Sequence, residues 1–353
     1  MPRSLDARDP ARQGAAISAA AEHLRAGGLV AFPTETVYGL GARARDAAAV
    51  ARVYALKGRP PNHPLIVHLA DASAMSAWAA EVPEAARRLA AAYWPGPLTV
   101  VLRARDDVPA SVTGGAATVA LRVPDHPVAM ALLLALGEGV AAPSANRFGR
   151  VSPTSAAHVL QEFERDADLL VLDGGPCAVG LESTIVDLSS GAPRLLRPGG
   201  VGVRALIDAV GPLAGAEAGP RPPAPGDQLR HYAPDVPTRL VERAELTEVP
   251  FEVAVLARRA PPPERPVGAA PWLDLGRAPA AYARALYAAL RVLEASQPSA
   301  IWIERVPDTE PWRAVVDRLQ RASGDAASAL QAAGAASTSA TPRRQGARPE
   351  ETA

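Results

Sequence analysis

The sequence predicts an α/β protein with one large sheet, followed by a smaller α/β domain. From Asp9 to about Gly202, segments with helical spacing of apolar residues alternate with short apolar runs typical of buried strands. The segment 211–225 is rich in Gly, Pro and Ala, as extended linkers are, and a second alternation follows it. From Gly324 onward small and charged residues dominate without periodicity, which predicts a disordered tail. We therefore predict a first domain at 10–210, a linker at 211–237, a second domain at 238–323 and a tail at 324–353.

The first domain begins with a helix predicted from Pro10, a residue suited to the first helical turn, and Gly27 marks its end. The apolar run 29–32 follows as a buried strand, and Asp46 is a suitable N-cap for a second helix that ends at Lys57. Further apolar runs predict strands at 65–69, 98–103, 118–123, 139–142, 169–172 and 184–188. Helical patterns between them predict helices at 83–92, 127–136 and 153–163.

The second domain repeats the alternation on a smaller scale. Apolar runs predict strands at 251–256, 272–275 and 300–303, and helical patterns predict helices at 282–294 and 312–322. Strands that alternate with helices are typical of parallel βαβ units, so we expect a small Rossmann-like domain.

Composition excludes several classes of protein. Lys and Arg total 37, as do Asp and Glu, and a neutral chain is neither a strongly basic nucleic-acid wrapper nor a polybasic membrane binder. The single cysteine, Cys177, excludes a disulfide framework and a multi-cysteine zinc site, and its loop context favours an inert structural residue. The N-terminus lacks the apolar core of a secretory signal, and the longest apolar stretch, 128–136, is too short to span a bilayer. We expect a cytoplasmic protein with no membrane contact.

Polar segments follow the predicted strands, where α/β folds place ligand sites. The segment 33–41, Pro-Thr-Glu-Thr-Val-Tyr-Gly-Leu-Gly, combines hydroxyls, a carboxylate and glycines in one turn. It suits a small polar ligand, and it equally suits a capped turn without one. His68 follows in an apolar strand, where a histidine is more often a core residue than a ligand contact.

A second segment carries cations. Lys57 and Arg59 flank a glycine, and Lys57 is the one lysine among the 37 basic residues, which suggests a position where arginine does not serve. The pair suits a polyphosphate with or without magnesium, or a solvated helix end. Further on, Ser152 precedes Pro153 and is predicted to cap a helix there, which would form either an anion site or a plain N-cap.

Arginines also lie at the ends of other strands. Arg122 ends the run at 118–123, and Arg197 follows the motif Glu-Ser-Thr-Ile-Val-Asp at 182–187. If these arginines converge with Lys57 and Arg59 at one sheet edge, they form a positive concavity suited to an anionic substrate such as a nucleotide. The chain contains no P-loop motif, and no G-x-G-x-x-G follows the first strand.

Taken together and in this order, the motifs resemble the YrdC family of threonylcarbamoyl-AMP synthases. They are PTETVYGLG at 33–41, KGRP at 57–60, PLIVH at 64–68, SAN at 144–146, SPT at 152–154, ESTIVD at 182–187 and RPG at 197–199. The resemblance covers roughly residues 10–210. The segment PGDQLRHYAP at 225–234 is similar to the linker of the family's longer, two-domain type.

The resemblance implies a YrdC-like twisted mixed sheet with surrounding helices and a large positive cavity. It implies that ATP, L-threonine and bicarbonate are converted to threonylcarbamoyl-AMP and pyrophosphate, with magnesium accompanying ATP and no protein metal site. The product would pass to a threonylcarbamoyl transferase that modifies the adenosine beside the anticodon in tRNA. Such chemistry requires positioning and charge stabilisation more than a protein nucleophile, and we assign no general base.

The resemblance also implies site residues. The implied threonine-binding residues are Thr36, His68, Arg122, Ala142 through its backbone, and Ser183. The implied ATP-binding residues are Lys57, Arg59, His63, Thr118, Ser144, Asn146, Ser152, Arg197, His231 and Tyr232. Among these Lys57, Arg59 and Arg197 would stabilise charge, and we expect Lys57 and Arg197 to be exposed in the cavity. Arg122 would clamp the threonine carboxylate with two hydrogen bonds, and His231 and Tyr232 would fold back over the nucleotide.

Three other functions remain open at this point. The chain could be an RNA-binding module of the same fold without synthase activity, although its neutral charge disfavours that as a main role. It could be a carbamoyl-transfer domain like those of hydrogenase-maturation enzymes, although it lacks the acylphosphatase and zinc-finger regions expected there. An unrelated adenylating enzyme would release pyrophosphate with an amino acid but without bicarbonate.

Overall fold

The structure is a computed structural model that describes residues 1–215, 221–226 and 230–324. Parts of the predicted linker (216–220 and 227–229) and the predicted tail from 325 to 353 lie outside the described residues. Within the described ranges, no helix is both long and apolar enough to cross a membrane.

The first part of the chain builds a mixed sheet of ten described strands. They are β1 (Arg3–Asp6), β2 (Leu29–Phe32), β3 (Gly39–Arg43), β4 (Ile66–His68), β5 (Leu98–Arg103), β6 (Thr118–Arg122), β7 (Val140–Ala141), β8 (Leu169–Asp173), β9 (Thr184–Asp187) and β10 (Arg194–Arg197). Their order across the sheet is β1-β8-β2-β3-β7-β4-β6-β5-β9-β10. The sheet contains parallel pairs such as β4 with β6 and antiparallel pairs such as β5 with β6, which confirms the mixed α/β fold.

The helices around this sheet are α1 (Pro10–Arg25), α2 (Ala47–Lys57), α3 (Glu84–Tyr93), α4 (Ala110–Thr113), α5 (Pro127–Leu136), α6 (Ala156–Glu162) and α7 (Val203–Val210). Asp46 caps α2 as predicted, because its side chain accepts a hydrogen bond from Ala49 N at 3.0 Å. Gly58 ends the same helix with φ of +64°, a conformation that glycine adopts without strain. Lys57 is therefore the last residue of α2.

The structure corrects two local predictions and adds strands that were not predicted. The helix predicted from Pro153 begins at Ala156, and its N-cap is Ser155, whose hydroxyl accepts from His158 N. Ser152 is thus not a helix cap. Residues 39–41, predicted as part of a turn, begin β3, which pairs antiparallel with β2. Strand β1 was not predicted, and it pairs in parallel with β8 at the sheet edge.

The second domain contains an entirely parallel four-stranded sheet. Its strands are β11 (Thr238–Val241), β12 (Val253–Ala257), β13 (Trp272–Asp274) and β14 (Ala300–Glu304), in the order β11-β14-β12-β13. Its helices are α8 (Pro279–Ala295) and α9 (Arg313–Ser323). Leu286 and Tyr287 of α8 belong to one buried apolar cluster with Val37, Val151 and Leu181 of the first domain. This shared core brings α8 and α9 close to the loops of the large sheet.

Candidate active site

The loops at one edge of the large sheet enclose a cavity that the linker covers. It is lined by Thr34, Thr36, Val37, Gly39, Arg59, Pro64, Leu65, Ile66, His68, Arg122, Ala142, Pro143, Ser144, Glu182, Ser183, Arg197, Pro225, Gly226, His231 and Tyr232. About 560 Å³ is free of protein atoms, but only about 50 Å³ is wide enough to hold the centre of a water molecule. That smaller volume accommodates about four waters. The described linker residues Pro225, Gly226, His231 and Tyr232 form part of the lining of this narrow space.

The turn between β2 and β3 forms one wall. Thr34 Oγ1 donates to Val37 O at 2.7 Å and accepts from Val37 N at 3.2 Å, which closes the turn. It also shares a hydrogen bond of 2.8 Å with Thr36 Oγ1. Thr36 is fully buried and lines the cavity. The capped turn that the sequence left as one alternative is thus present, and its residues Thr34 and Thr36 line the cavity.

Arg122 forms a buried ion pair on the same wall. Its Nη2 donates to Glu35 Oε1 at 2.5 Å, and its Nε donates to Gly96 O at 3.3 Å. Asp125 N donates to the other carboxylate oxygen of Glu35 at 3.0 Å. The guanidinium is therefore held rigidly against the cavity, with two of its three nitrogens already engaged by protein groups.

Arg197 also lines the cavity and joins Ser183, the residue before β9, to the linker. Its Nε donates to Ser183 O at 3.1 Å and its Nη2 donates to Ser183 Oγ at 3.2 Å. Its Nη1 donates to Pro225 O at 3.0 Å. Arg197 is only 4% exposed, so the expectation that it is exposed in the cavity is wrong. The guanidinium lines the cavity beneath the linker.

Lys57 also differs from the expectation of an exposed side chain. It is 2% exposed, and its Nζ donates to Ser144 O at 2.6 Å and to Asn146 O at 2.5 Å. Burial and the neighbouring Arg59 lower the pKa of the ammonium well below its usual value, which Glu162 partly opposes. Lys57 thus holds the loop that carries Ser144 and does not line the cavity itself. A compact ammonium with several donors suits two converging carbonyls better than a planar guanidinium.

Of the two cations Lys57 and Arg59, only Arg59 lines the cavity. Its Nη2 donates to Pro64 O at 2.9 Å. Burial lowers its pKa to about 10, and Arg197 contributes to the same direction. Arg59, Arg122 and Arg197 therefore converge on one cavity, as the sequence predicted for these three residues.

The linker residues His231 and Tyr232 close the cavity. Their rings contact each other edge to face at 4.1 Å, and Tyr232 adopts a positive φ of 59°. Ala233 N donates to Gly149 O at 2.9 Å, which anchors the linker on the first domain. Burial lowers the pKa of His231 to about 3, opposed by Glu182 and reinforced by nearby cations. The imidazole is therefore neutral at neutral pH.

The sequence did not single out Glu182 as a site residue, although its carboxylate lies at the cavity. Ser152 Oγ donates to its Oε1 at 2.6 Å, and Tyr287 OH donates to its Oε2 at 2.9 Å. Arg318 Nε donates to Oε2 at 2.7 Å. Two of these donors come from α8 and α9, more than a hundred residues away in the sequence. No local motif reveals such a partnership.

Ten of the fifteen predicted site residues line the cavity. They are Thr36, Arg59, His68, Arg122, Ala142, Ser144, Ser183, Arg197, His231 and Tyr232. The other five do not line it: Lys57, His63, Thr118, Asn146 and Ser152. Cys177 is buried outside the cavity lining, and burial raises the pKa of its thiol to about 12, as an inert structural cysteine requires.

The side chains around the cavity determine whether the protein itself could coordinate a metal ion. In the described ranges, no group of three or more His, Cys, Asp or Glu side chains is arranged to hold one. Glu182, a carboxylate that lines the cavity, is already engaged by three donors. A divalent cation here would fit only as a partner of substrate oxygens, which is the usual way in which magnesium enters phosphate chemistry.

The mixed α/β fold carries a cavity lined by three arginines, an arrangement suited to a protein that binds small anions. The family model for Sua5, YciO and YrdC proteins, described as "Telomere recombination", matches residues 22–199. A second model, described as "Threonylcarbamoyl-AMP synthase, C-terminal domain", matches residues 202–324. The chain belongs to the Sua5/YrdC family, in the form that carries this C-terminal domain.

Relatives cover nearly the whole chain. A threonylcarbamoyl-AMP synthase of Pyrococcus abyssi is 40% identical over 321 residues, which cover 87% of this chain and 94% of the relative. The Bacillus subtilis protein of the same name is 38% identical over 328 residues, covering 87% and 93%. The resemblance inferred from the seven motifs is thereby confirmed.

Solved structures of a related protein share the fold of this chain. The crystal structure of P. abyssi Sua5 complexed with L-threonine matches with a TM-score of 0.81 at 36% identity, covering 92% of this chain and 98% of that one. A variant of the same protein, in which a histidine and the adjacent tyrosine are replaced by alanine, matches with a TM-score of 0.82 at 36% identity, covering 92% and 97%. The fold class predicted from the sequence is therefore confirmed.

Proposed function

We propose that this chain is a threonylcarbamoyl-AMP synthase, which converts L-threonine, bicarbonate and ATP to threonylcarbamoyl-AMP and pyrophosphate. The observation that carries the proposal is the convergence of Arg59, Arg122 and Arg197 on one cavity with buried hydroxyl groups beside them. The curated relatives carry the name of this activity, and a close structural neighbour was solved with L-threonine. Three cations in a neutral protein suit a substrate set that carries a carboxylate and a triphosphate.

We assign L-threonine to the wall formed by Thr36, His68, Arg122, Ala142 and Ser183. Arg122 supplies the charge for the amino-acid carboxylate, and Thr36 and Ser183 supply buried hydroxyls. Burial and Arg122 lower the pKa of His68 to about 3, so its imidazole is neutral. A neutral imidazole beside Arg122 leaves the arginine as the cation that selects the carboxylate.

We assign ATP to the side of Arg59, Ser144 and Arg197, under His231 and Tyr232. Arg59 and Arg197 neutralise phosphates there, and Lys57 and Asn146 support the loop that carries Ser144. His63, Thr118 and Ser152 lie outside the cavity lining, and their contacts to the nucleotide remain predictions from the family resemblance. Because about 50 Å³ does not hold a nucleotide, we infer that His231 and Tyr232 move aside when ATP binds.

The chemistry follows from this placement. The threonine amine combines with carbon dioxide derived from bicarbonate, and the resulting N-carboxylate oxygen attacks the α-phosphorus. The bond between the α-phosphorus and the bridging oxygen breaks, and pyrophosphate leaves with the electron pair. Arg59 and Arg197 stabilise the negative charge that develops on the phosphates, and Arg122 keeps the amino acid in line. Magnesium, bound to the phosphate oxygens of ATP, would neutralise further charge.

The product carries a mixed anhydride that water hydrolyses, so we expect it to be consumed by a threonylcarbamoyl transferase acting on tRNA. Such a role places the protein in the cytoplasm, where ATP and tRNA are present. The proposal is tested by pyrophosphate release from the purified chain with ATP and magnesium, with L-threonine and bicarbonate supplied separately and together. Release that requires both supports it, and release without bicarbonate opposes it.

A further inference from the structure

We propose that Arg318, on α9 of the C-terminal domain, is a positioning residue for the cavity and acts through Glu182 and Pro198. The inference rests on the proposed synthase function and assigns to the second domain a specific part in it. Arg318 touches no open part of the cavity, because its side chain is 0% exposed. It contacts both chain segments that carry Ser183 and Arg197.

The contacts of Arg318 form a bridge between these segments. Its Nε donates to Glu182 Oε2 at 2.7 Å, and its Nη2 donates to Pro198 O at 3.1 Å. Glu182 immediately precedes Ser183, and Pro198 immediately follows Arg197. One planar guanidinium thus fixes the residues adjacent to both cavity groups, and the two donors keep a fixed spacing.

Arg318 also reaches the linker. Its guanidinium lies over the ring of Tyr232, 5.1 Å from the ring centroid, and Tyr232 stacks on Tyr287 with centroids 5.9 Å apart. Arg318 Nη1 donates a hydrogen bond to the carboxylate of Asp317, the preceding residue in α9. Each of the three guanidinium nitrogens therefore donates a hydrogen bond to a protein acceptor, and these bonds fix the orientation of the side chain.

The charges of Glu182 and Arg318 also favour this bridge. Burial alone would raise the pKa of Glu182, but the charges of Arg318 and Arg197 and the hydrogen bonds from Ser152 and Arg318 together outweigh burial and hold that pKa at about 2. Ser152 and Tyr287 complete the set of donors around the carboxylate. Glu182 is therefore ionised and fully engaged, which suits the support of a wall and leaves it unsuited to act as a general base.

The arrangement predicts which kinetic constants change. If Arg318 only stabilised the fold, a variant would contain fewer active molecules, which lowers the apparent kcat and leaves KM unchanged. If Arg318 positions Ser183 and Arg197, the folded variant binds its substrates less well, and KM rises for both L-threonine and ATP.

The experiment measures pyrophosphate release against L-threonine and against ATP for the full chain and for Arg318→Lys. Arg313→Lys is the matched control, because Arg313 begins the same helix and is exposed. Lysine keeps the charge but lacks the second fixed donor, so we expect Arg318→Lys to raise both KM values about tenfold or more. Arg313→Lys should leave them unchanged. Unchanged KM values in Arg318→Lys overturn the proposal, whatever happens to kcat.

Two further variants keep the test decisive if Arg318→Lys does not fold. Tyr287→Phe removes one donor to Glu182 at nearly constant volume, and a measurable rise in the threonine KM is expected. Glu182→Gln combined with Arg318→Met removes both charges, and wild-type KM values in that protein overturn the proposal. If the wild-type chain neither releases pyrophosphate nor binds L-threonine by calorimetry, the synthase function fails and this inference fails with it. If the wild-type chain is active and KM rises only in these variants, both the synthase function and the bridge are supported.

Discussion

Arg122 and Glu35 form an ion pair with 2.5 Å between Nη2 and Oε1, and both side chains are almost completely buried at the cavity wall. The sequence predicts that Arg122 clamps the threonine carboxylate with two hydrogen bonds, and the pair limits which donors such a clamp can use. Glu35 already accepts from Nη2 and Gly96 O from Nε. A substrate carboxylate therefore meets an arginine of fixed orientation and partly balanced charge.

The first prediction concerns this pair and the threonine requirement. Arg122→Lys keeps a positive charge beside Glu35 but offers fewer fixed donors, so the threonine KM should rise about tenfold while the ATP KM changes little. Steady-state pyrophosphate release at varied L-threonine measures it. Arg103→Lys is the control, because Arg103 ends the neighbouring strand β5 and is exposed. A threonine KM equal to that of the control removes Arg122 from the threonine site.

The second prediction concerns Lys57 and stability. Lys57→Met keeps a similar length but leaves the carbonyls of Ser144 and Asn146 without their buried donor, which should cost about 1–3 kcal/mol of unfolding free energy. Urea unfolding measures the change, and activity should fall because the loop carrying Ser144 loses its support. Arg52→Met, at an exposed position of the same helix, should cost less than about 1 kcal/mol. Equal losses in the two variants would refute a structural role for the buried ammonium.

The third prediction concerns stability in acid. Burial lowers the pKa of His68 and of His231 to about 3, so both remain neutral in the folded protein below the pH at which an unfolded histidine is protonated. Their contribution is fully present above about pH 6.5 and is lost as the pH falls from there toward 3. Each histidine adds at most about 1.4 kcal/mol per pH unit to that slope.

This slope is measured by urea unfolding between pH 7 and pH 5. His68→Gln cannot take up the proton in the unfolded state, so its stability should depend less steeply on pH than that of the wild type. The same slope in both proteins would show that His68 is not held neutral in the folded state.

The sequence predicted most of the elements that have strong local signals. Pro127 and the positive φ of Gly137 bound helix α5 at the predicted residues, and Asp46 caps α2. Strand β1 escaped prediction because it contains an arginine and an aspartate in four residues, so it shows no apolar run. Its partner β8 lies far along the chain and supplies the pairing that stabilises it.

Site residues were predictable from the sequence where a residue that lines the cavity belongs to a recognisable motif. Arg59, Arg122 and Arg197 each follow or end a predicted element and converge as expected. The burial of the Lys57 side chain was not predictable, since a lysine at a helix end is ordinarily solvated. The two carbonyl oxygens that accept from its Nζ lie more than eighty residues away in the sequence. Glu182 and Arg318 are 136 residues apart, and only the docking of the second domain joins them.

The most direct test of the account is pyrophosphate release by the purified full chain with ATP and magnesium, measured with and without L-threonine and bicarbonate. We expect release only when both L-threonine and bicarbonate are present. Release with L-threonine alone would show simple adenylation of the amino acid. No release from folded protein that binds ATP would contradict the synthase function and favour a binding role such as RNA recognition.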